Sequence, residues 1–195
     1  MNIINKSFIY DTYVLYNMLE KFAPIKAFLA LAEAEEEYSV RGLAKKAGIG
    51  VGTAKNCLDW MFSKKLVRRK IIGKTHQYSL NLGNVMARYA KILNSLNAIQ
   101  ESGLVEELIK LPVLSILLYG STARGDDSPK SDMDFLIISR KDIKMPALKA
   151  KLKREVTFVC RTLPEWRKTA REDKPFYERV ITEGIALYGD LPIVN

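Results

Sequence analysis

Histidine and cysteine are scarce in this chain of 195 residues: one histidine, His76, and two cysteines, Cys57 and Cys160. So few soft ligands exclude a zinc site of the usual four-ligand kind. Two cysteines in apolar-periodic segments are expected to be buried free thiols of a reducing, cytoplasmic setting rather than a disulfide framework. No apolar run approaches the roughly 20 residues of a membrane span. The opening Met1-Asn2-Ile3-Ile4-Asn5-Lys6 lacks the charged and apolar regions of a signal peptide. A membrane is therefore not an expected partner. Acidic residues are scarce in one window. Between Arg41 and Lys74 there are ten basic residues and a single acid, Asp59, so this stretch alone carries an excess equal to the whole-chain net charge of +9.

The window coincides with a recognisable pattern. Ile25, Phe28, Leu29 and Ala32 follow helical spacing, and Glu33, Glu35, Glu36 and Glu37 end that helix on a charged surface. Ser39 is placed as an N-cap, and Val40, Leu43, Ala44 and Ala47 make the apolar stripe of a short second helix. Gly48 to Gly52 predicts a turn in which Ile49 or Val51 plugs the core. Ala54, Cys57, Leu58, Met61 and Phe62 then stripe a third helix. Leu66–Ile72, a Gly73-Lys74 turn and Thr75–Leu80 read as a hairpin. Tyr13, Val14, Leu15 and Met18 add a short helix upstream.

This order resembles a winged helix-turn-helix over about residues 20 to 82, on periodicity rather than on an invariant motif. The resemblance implies double-stranded DNA as partner. The third helix would enter the major groove with Thr53, Lys55 and Asn56 facing bases. Arg68, Arg69, Lys70 and Lys74 would lie on the wing near the DNA backbone. The bland alternative is a helical module that packs on the rest of the chain or dimerises. Residues 83–103 form a linker helix striped by Val85, Met86, Tyr89, Ile92, Leu93, Leu96 and Ile99. That stripe serves either a homodimer or an intramolecular core.

The most informative segment runs from Gly120 to Asp134. An apolar run, Val113 to Tyr119, leads into Gly120-Ser121, and a second, Phe135 to Ile138, leads out of Asp132-Met133-Asp134. Residues two apart on a strand share a face, so Asp132 and Asp134 project side by side. Carboxylates that close resist joint ionisation. A divalent cation relieves the conflict, and Mg²⁺ (or Mn²⁺) takes oxygen ligands together with substrate phosphates. Gly120 and Ser121 offer backbone N–H groups to a phosphate.

Gly120-Ser121, ten intervening residues, and Asp132-x-Asp134 resemble the signature of the DNA polymerase β-like nucleotidyltransferases, in particular the minimal branch. Phe176 to Gly189 is similar to that branch's closing helix and strand. The resemblance covers roughly residues 104 to 190. Together the two resemblances imply an α+β chain: a winged helix-turn-helix over 1–82, a linker helix over 83–103, and a nucleotidyltransferase fold over 104–195, a mixed sheet with flanking helices. The nucleotidyltransferase resemblance implies a nucleoside triphosphate substrate, ATP favoured, with Asp132 and Asp134 as metal ligands and Gly120, Ser121 and Arg124 at the phosphates. For Arg124 an ion pair with Asp126 or Asp127 is an equal alternative. Minimal nucleotidyltransferases often act as antitoxins to a helical HEPN partner, so the resemblance also admits a partner of that type.

One departure bears on activity. The family places a third carboxylate on the next strand, where this chain reads Arg154-Glu155-Val156-Thr157-Phe158-Val159 and has Thr157. Glu155 shares that face two residues earlier. It either reaches the metal as a third catalytic carboxylate or is a surface residue near the strand start. Two functions follow. One is an enzyme moving a nucleoside monophosphate, AMP from ATP by preference, onto an acceptor. The other is a DNA-binding regulator or antitoxin whose transferase domain is degenerate and senses a nucleotide.

Overall fold

The structure is a computed structural model that describes residues 22–34, 36–143, 145 and 152–194. The helix expected at Tyr13–Met18 lies outside the described residues. The first module begins with α1 (Ala23–Ala32), β1 (Tyr38–Ser39), α2 (Val40–Ala47) and α3 (Val51–Ser63). A hairpin of β2 (Val67–Ile72) and β3 (Thr75–Leu80) completes it. The strand β1 joins the hairpin antiparallel to β3, giving the order β1-β3-β2. Phe28, Leu31, Leu43, Leu58, Met61, Val67 and Tyr78 form its core.

Ser39 caps α2: its Oγ accepts from Gly42 N at 3.1 Å. Gly48, at φ +62°, closes the helix. The α3 helix starts at Val51, so the turn is shorter than the glycine run suggested, and its two apolar residues part company. Ile49 packs on the core, while Val51 is exposed. Phe62 also departs from the expected core stripe. It is 40% exposed, with the Arg69 guanidinium 4.3 Å above its ring.

The helix α4 (Val85–Ser102) is capped by Asn84, whose side chain accepts from Met86 N and Ala87 N. It belongs to both cores. Ala87 and Ala90 pack on the first module, Leu96 and Ile99 on the second. The expected apolar stripe therefore divides. Ile92 and Ile99 are buried within the chain, whereas Val85, Met86 and Tyr89 are exposed.

The second module continues with α5 (Leu104–Leu108), β4 (Val113–Tyr119), α6 (Gly120–Arg124), β5 (Met133–Ser139) and β6 (Val156–Thr162). It closes with α7 (Leu163–Glu172), α8 (Lys174–Glu183) and β7 (Ile185–Tyr188). The strand order is β6-β5-β4-β7, with β5 and β6 parallel and the other pairs antiparallel. This α+β module thus has a mixed sheet with flanking helices. Both faces are covered, which explains why β4 and β5 read as continuous apolar runs instead of alternating. Ile116, Leu118, Phe135 and Ile137 pack against Ile99, Leu104 and Leu108. On the other face Leu117, Leu136 and Ile138 meet Trp166 of α7 and Val180 of α8. Trp166 is fully buried, and its indole N–H donates to Pro192 O at 2.6 Å.

Candidate active site

The α6 helix turns directly out of β4. Gly120 takes φ +75°, and a Cβ built there would lie 2.5 Å from Asp134 Oδ2. The turn therefore closes onto the Asp134 carboxylate, which a side chain at position 120 would displace, and the left-handed φ favours glycine. The sheet register makes the meeting inevitable, because Tyr119 pairs with Asp134 across β4 and β5. Asp132 is exposed and Asp134 half-buried. By strand alternation Asp134 shares the α7–α8 face with Leu136. Burial raises the Asp134 carboxyl above the ordinary aspartate value, and repulsion from Asp132 adds to it, against the pull of Arg154. Tyr119 is raised by burial and then by Asp134.

Two adjacent carboxylates, one exposed and one held against a bare glycine turn, form a hard-oxygen donor set of the kind Mg²⁺ shares with substrate phosphates. The residues present therefore fit a divalent ion. The third position is different. In the parallel β5–β6 pair, Asp134 is in register with Thr157, so the threonine occupies the neighbouring place on the same face. Glu155 lies just ahead of β6, with its carbonyl accepting from Met133 N at 2.9 Å and its residue exposed. Among the described residues, no three of His, Cys, Asp and Glu gather closely enough to hold a metal ion. The structure thus brings Asp132 and Asp134 together without adding Glu155 to them.

Arg124 is committed to ion pairs. Its Nε lies 3.1 Å from Asp126 Oδ2, and an Nη lies 2.9 Å from Glu183 Oε2 on α8. Those partners raise its pKa further. Ser131 braces the loop: its hydroxyl accepts from Ser128 N and meets Ser128 Oγ, both at 2.9 Å.

A cluster that sequence reasoning missed lies behind the carboxylates. Asp127 is 4% exposed. Its Oδ2 is 2.6 Å from an Arg154 Nη, and its Oδ1 is 3.0 Å from Lys91 Nζ. The same guanidinium donates to Ser131 O at 2.7 Å, Thr122 Oγ1 at 3.1 Å and Asp132 O at 3.3 Å. Lys91 also donates to Asp127 O. A cavity of about 660 Å³ adjoins this cluster between α1, α4 and the loop, on the Met133 side and away from the Asp132–Asp134 face. The clue in the sequence was faint: Lys91 adjoins Ile92 of the apolar stripe, in a helix that carries Arg88 as well.

In the first module Thr53, Lys55 and Asn56 are exposed on one side of α3. Lys55 Nζ is paired with Asp59 at 2.8 Å, and this bond raises its pKa. Arg68, Arg69, Lys70 and Lys74 are all exposed, yet they do not make one face. Arg69 pairs with buried Tyr78 across the hairpin and points towards α3, whereas Arg68 and Lys70 pair with Ser79 and Gln77 on the opposite side. Arg68 is tied back to Asn81 at 3.0 Å. Cys57 and Cys160 are free thiols, raised by burial. His76 is exposed on β3.

Residues 102–182 match the family described as "Nucleotidyltransferase domain". No match was found among curated proteins. Among solved structures the chain has a likeness to human N-acetylserotonin methyltransferase in complex with SAM, at 16% identity and a TM-score of 0.30. It covers 50% of this chain and 31% of that one, and a likeness of this order carries no argument.

Proposed function

We propose that the second module binds a nucleoside triphosphate, ATP by preference, with Mg²⁺ or Mn²⁺, and transfers its nucleoside monophosphate to an acceptor. One observation carries the reading. The Gly120 turn is pressed against Asp134 Oδ2, with Asp132 just ahead of the same strand, and all three lie inside the segment that matches a nucleotidyltransferase domain. Asp132 and Asp134 hold the divalent ion, which when bound neutralises phosphate charge and polarises the attacking oxygen. Ser121 and the backbone of the Gly120 turn bind and orient the β- and γ-phosphates. Positioning and charge neutralisation supply most of the rate in phosphoryl chemistry. Arg124, already shared between Asp126 and Glu183, steadies the turn.

The test is transfer from ATP labelled at the α-phosphate, run beside ATP labelled at the γ-phosphate, with Mg²⁺ and cell extract. The proposal expects α-label on an acceptor and γ-label in pyrophosphate. An α-label pattern no different from that of extract alone, or of extract with Asp132→Asn, would refute it.

A second reading has its own support. Thr157 stands in register beside Asp134 where a third carboxylate is expected, and the loss of one positioned group of this kind commonly costs on the order of 10²–10⁴ in rate. On this reading the domain senses a nucleotide, and the first module is a winged helix-turn-helix that carries it to duplex DNA through Thr53, Lys55, Asn56 and the basic hairpin. Mg²⁺-dependent ATP binding with no transfer to any acceptor favours it. Absence of duplex binding at low salt sinks its DNA half.

A further inference from the structure

We infer that Arg154, held by Asp127, which Lys91 pairs with in turn, is a positioning residue for the Asp132 carboxylate and ties that carboxylate to α4. The inference rests on the nucleotide–metal reading of Asp132 and Asp134. A guanidinium carries five donors in a rigid fork. Here the fork spans the two pieces of the site. It reaches Thr122 Oγ1 on α6 at 3.1 Å, in the turn that begins at Gly120. It also reaches the carbonyls of Ser131 and Asp132, at 2.7 and 3.3 Å. One side chain thus sets the spacing between the phosphate turn and the first carboxylate.

The fork is itself anchored. Asp127 takes one Nη at 2.6 Å, and the Asp127 side chain is only 2% exposed. Lys91, at 7%, holds the other carboxylate oxygen from α4 at 3.0 Å. A second contact fixes the same helix to the loop. Gly125 sits at φ +69°, and a Cβ there would come within 2.5 Å of Arg88 O. The α4 helix also packs on the first module through Ala87 and Ala90. A shift of α4 therefore moves Asp127, then Arg154, then the backbone that carries Asp132.

This arrangement resembles the outer partners that orient metal ligands, whose loss typically lowers metal affinity about 10–100-fold. Lysine does not substitute, because an ammonium with three donors on a flexible stem cannot bridge these four acceptors in a fixed plane.

The test uses the full chain and the loss of the free Mn²⁺ paramagnetic resonance signal, with a non-hydrolysable ATP analogue. Amide hydrogen exchange over residues 125–132 is followed in parallel. Wild type is expected to bind Mn²⁺, and Asp132→Asn to lose it. Arg154→Lys is expected to weaken it about 10–100-fold, with faster exchange confined to 125–132 and β4 unchanged. Thr122→Val, which removes one partner of the fork and conserves shape, is expected to cause a smaller loss in the same direction. If wild type and Asp132→Asn differ as stated but Arg154→Lys binds Mn²⁺ as wild type does, the inference falls and the functional reading stands. If wild type itself binds no Mn²⁺ with nucleotide, both fall. Should Arg154→Lys not fold, Thr122→Val decides, and an unchanged Mn²⁺ affinity there overturns the inference.

Discussion

Replacing Gly120 by alanine separates a backbone effect from a site effect. Gly120 and Gly48 both adopt the left-handed conformation, at φ +75° and +62°. A left-handed L-residue costs about 1–2 kcal/mol, so both alanine variants are expected to lose at least that much. For a domain of this size the loss corresponds to roughly 2–8 °C in Tm. The two sites differ in their surroundings. A Cβ at Gly48 meets nothing within 4 Å, whereas at Gly120 it falls 2.5 Å from Asp134 Oδ2. That carboxylate cannot stay in place, so Gly120→Ala is expected to destabilise more than Gly48→Ala and to displace a proposed metal ligand. Thermal melts give the first comparison, and Mg²⁺-dependent binding of labelled ATP gives the second. Gly48→Ala should bind as wild type does, and Gly120→Ala should not. Equal Tm losses together with equal ATP binding would refute the claim that the turn is closed onto Asp134.

Asp134→Asn should stabilise the protein in the absence of divalent ions. The folded-state pKa of Asp134 is raised by burial and then by Asp132. The stability of the wild type relative to Asp134→Asn therefore declines as pH rises from about 4, and denaturant midpoints across pH measure this. Excess Mg²⁺–ATP, at 100 times its dissociation constant, should add about 2.7 kcal/mol to the wild type and little to Asp134→Asn. Thr157→Asp places a carboxylate about 4.8 Å across the sheet from Asp134, in the register that Thr157 now holds. It should tighten Mn²⁺ binding and, if the missing group limits turnover, raise transfer on the order of 10²-fold or more; unchanged Mn²⁺ affinity would argue against this geometry. For the first module, Lys70→Gln and Lys74→Gln should each lower the salt dependence of duplex binding by about one unit of slope, read by fluorescence anisotropy at several salt concentrations.

The parts that were legible in the sequence are those written locally. The Gly120–Asp134 segment could be read because two apolar runs bracket a fixed spacing; Asp134 falls on β5, with Asp132 just ahead of it. Ser39 could be read as a cap from its own chemistry. Other features depend on contacts that no local pattern encodes. Lys91 and Asp127 are 36 residues apart, and Asp127 and Arg154 are 27 apart, so their cluster leaves no periodic trace. The fate of Arg124 turned partly on Glu183, which is 59 residues away. The hairpin's basic residues read as one patch because the sequence lists them together, while cross-strand pairing sends Arg69 to one side and Arg68 and Lys70 to the other. The stripe on α4 read as a single surface, but two cores and solvent share it.

The central claim is that Asp132, Asp134 and the Gly120 turn form a nucleotide–metal site. Equilibrium dialysis of labelled ATP against wild type, Asp132→Asn and Asp134→Asn, each with and without Mg²⁺, tests it most directly. The account predicts Mg²⁺-dependent binding to wild type and its loss in both variants while their circular dichroism is unchanged. Binding that is equal in all three proteins, or that ignores Mg²⁺, would contradict it.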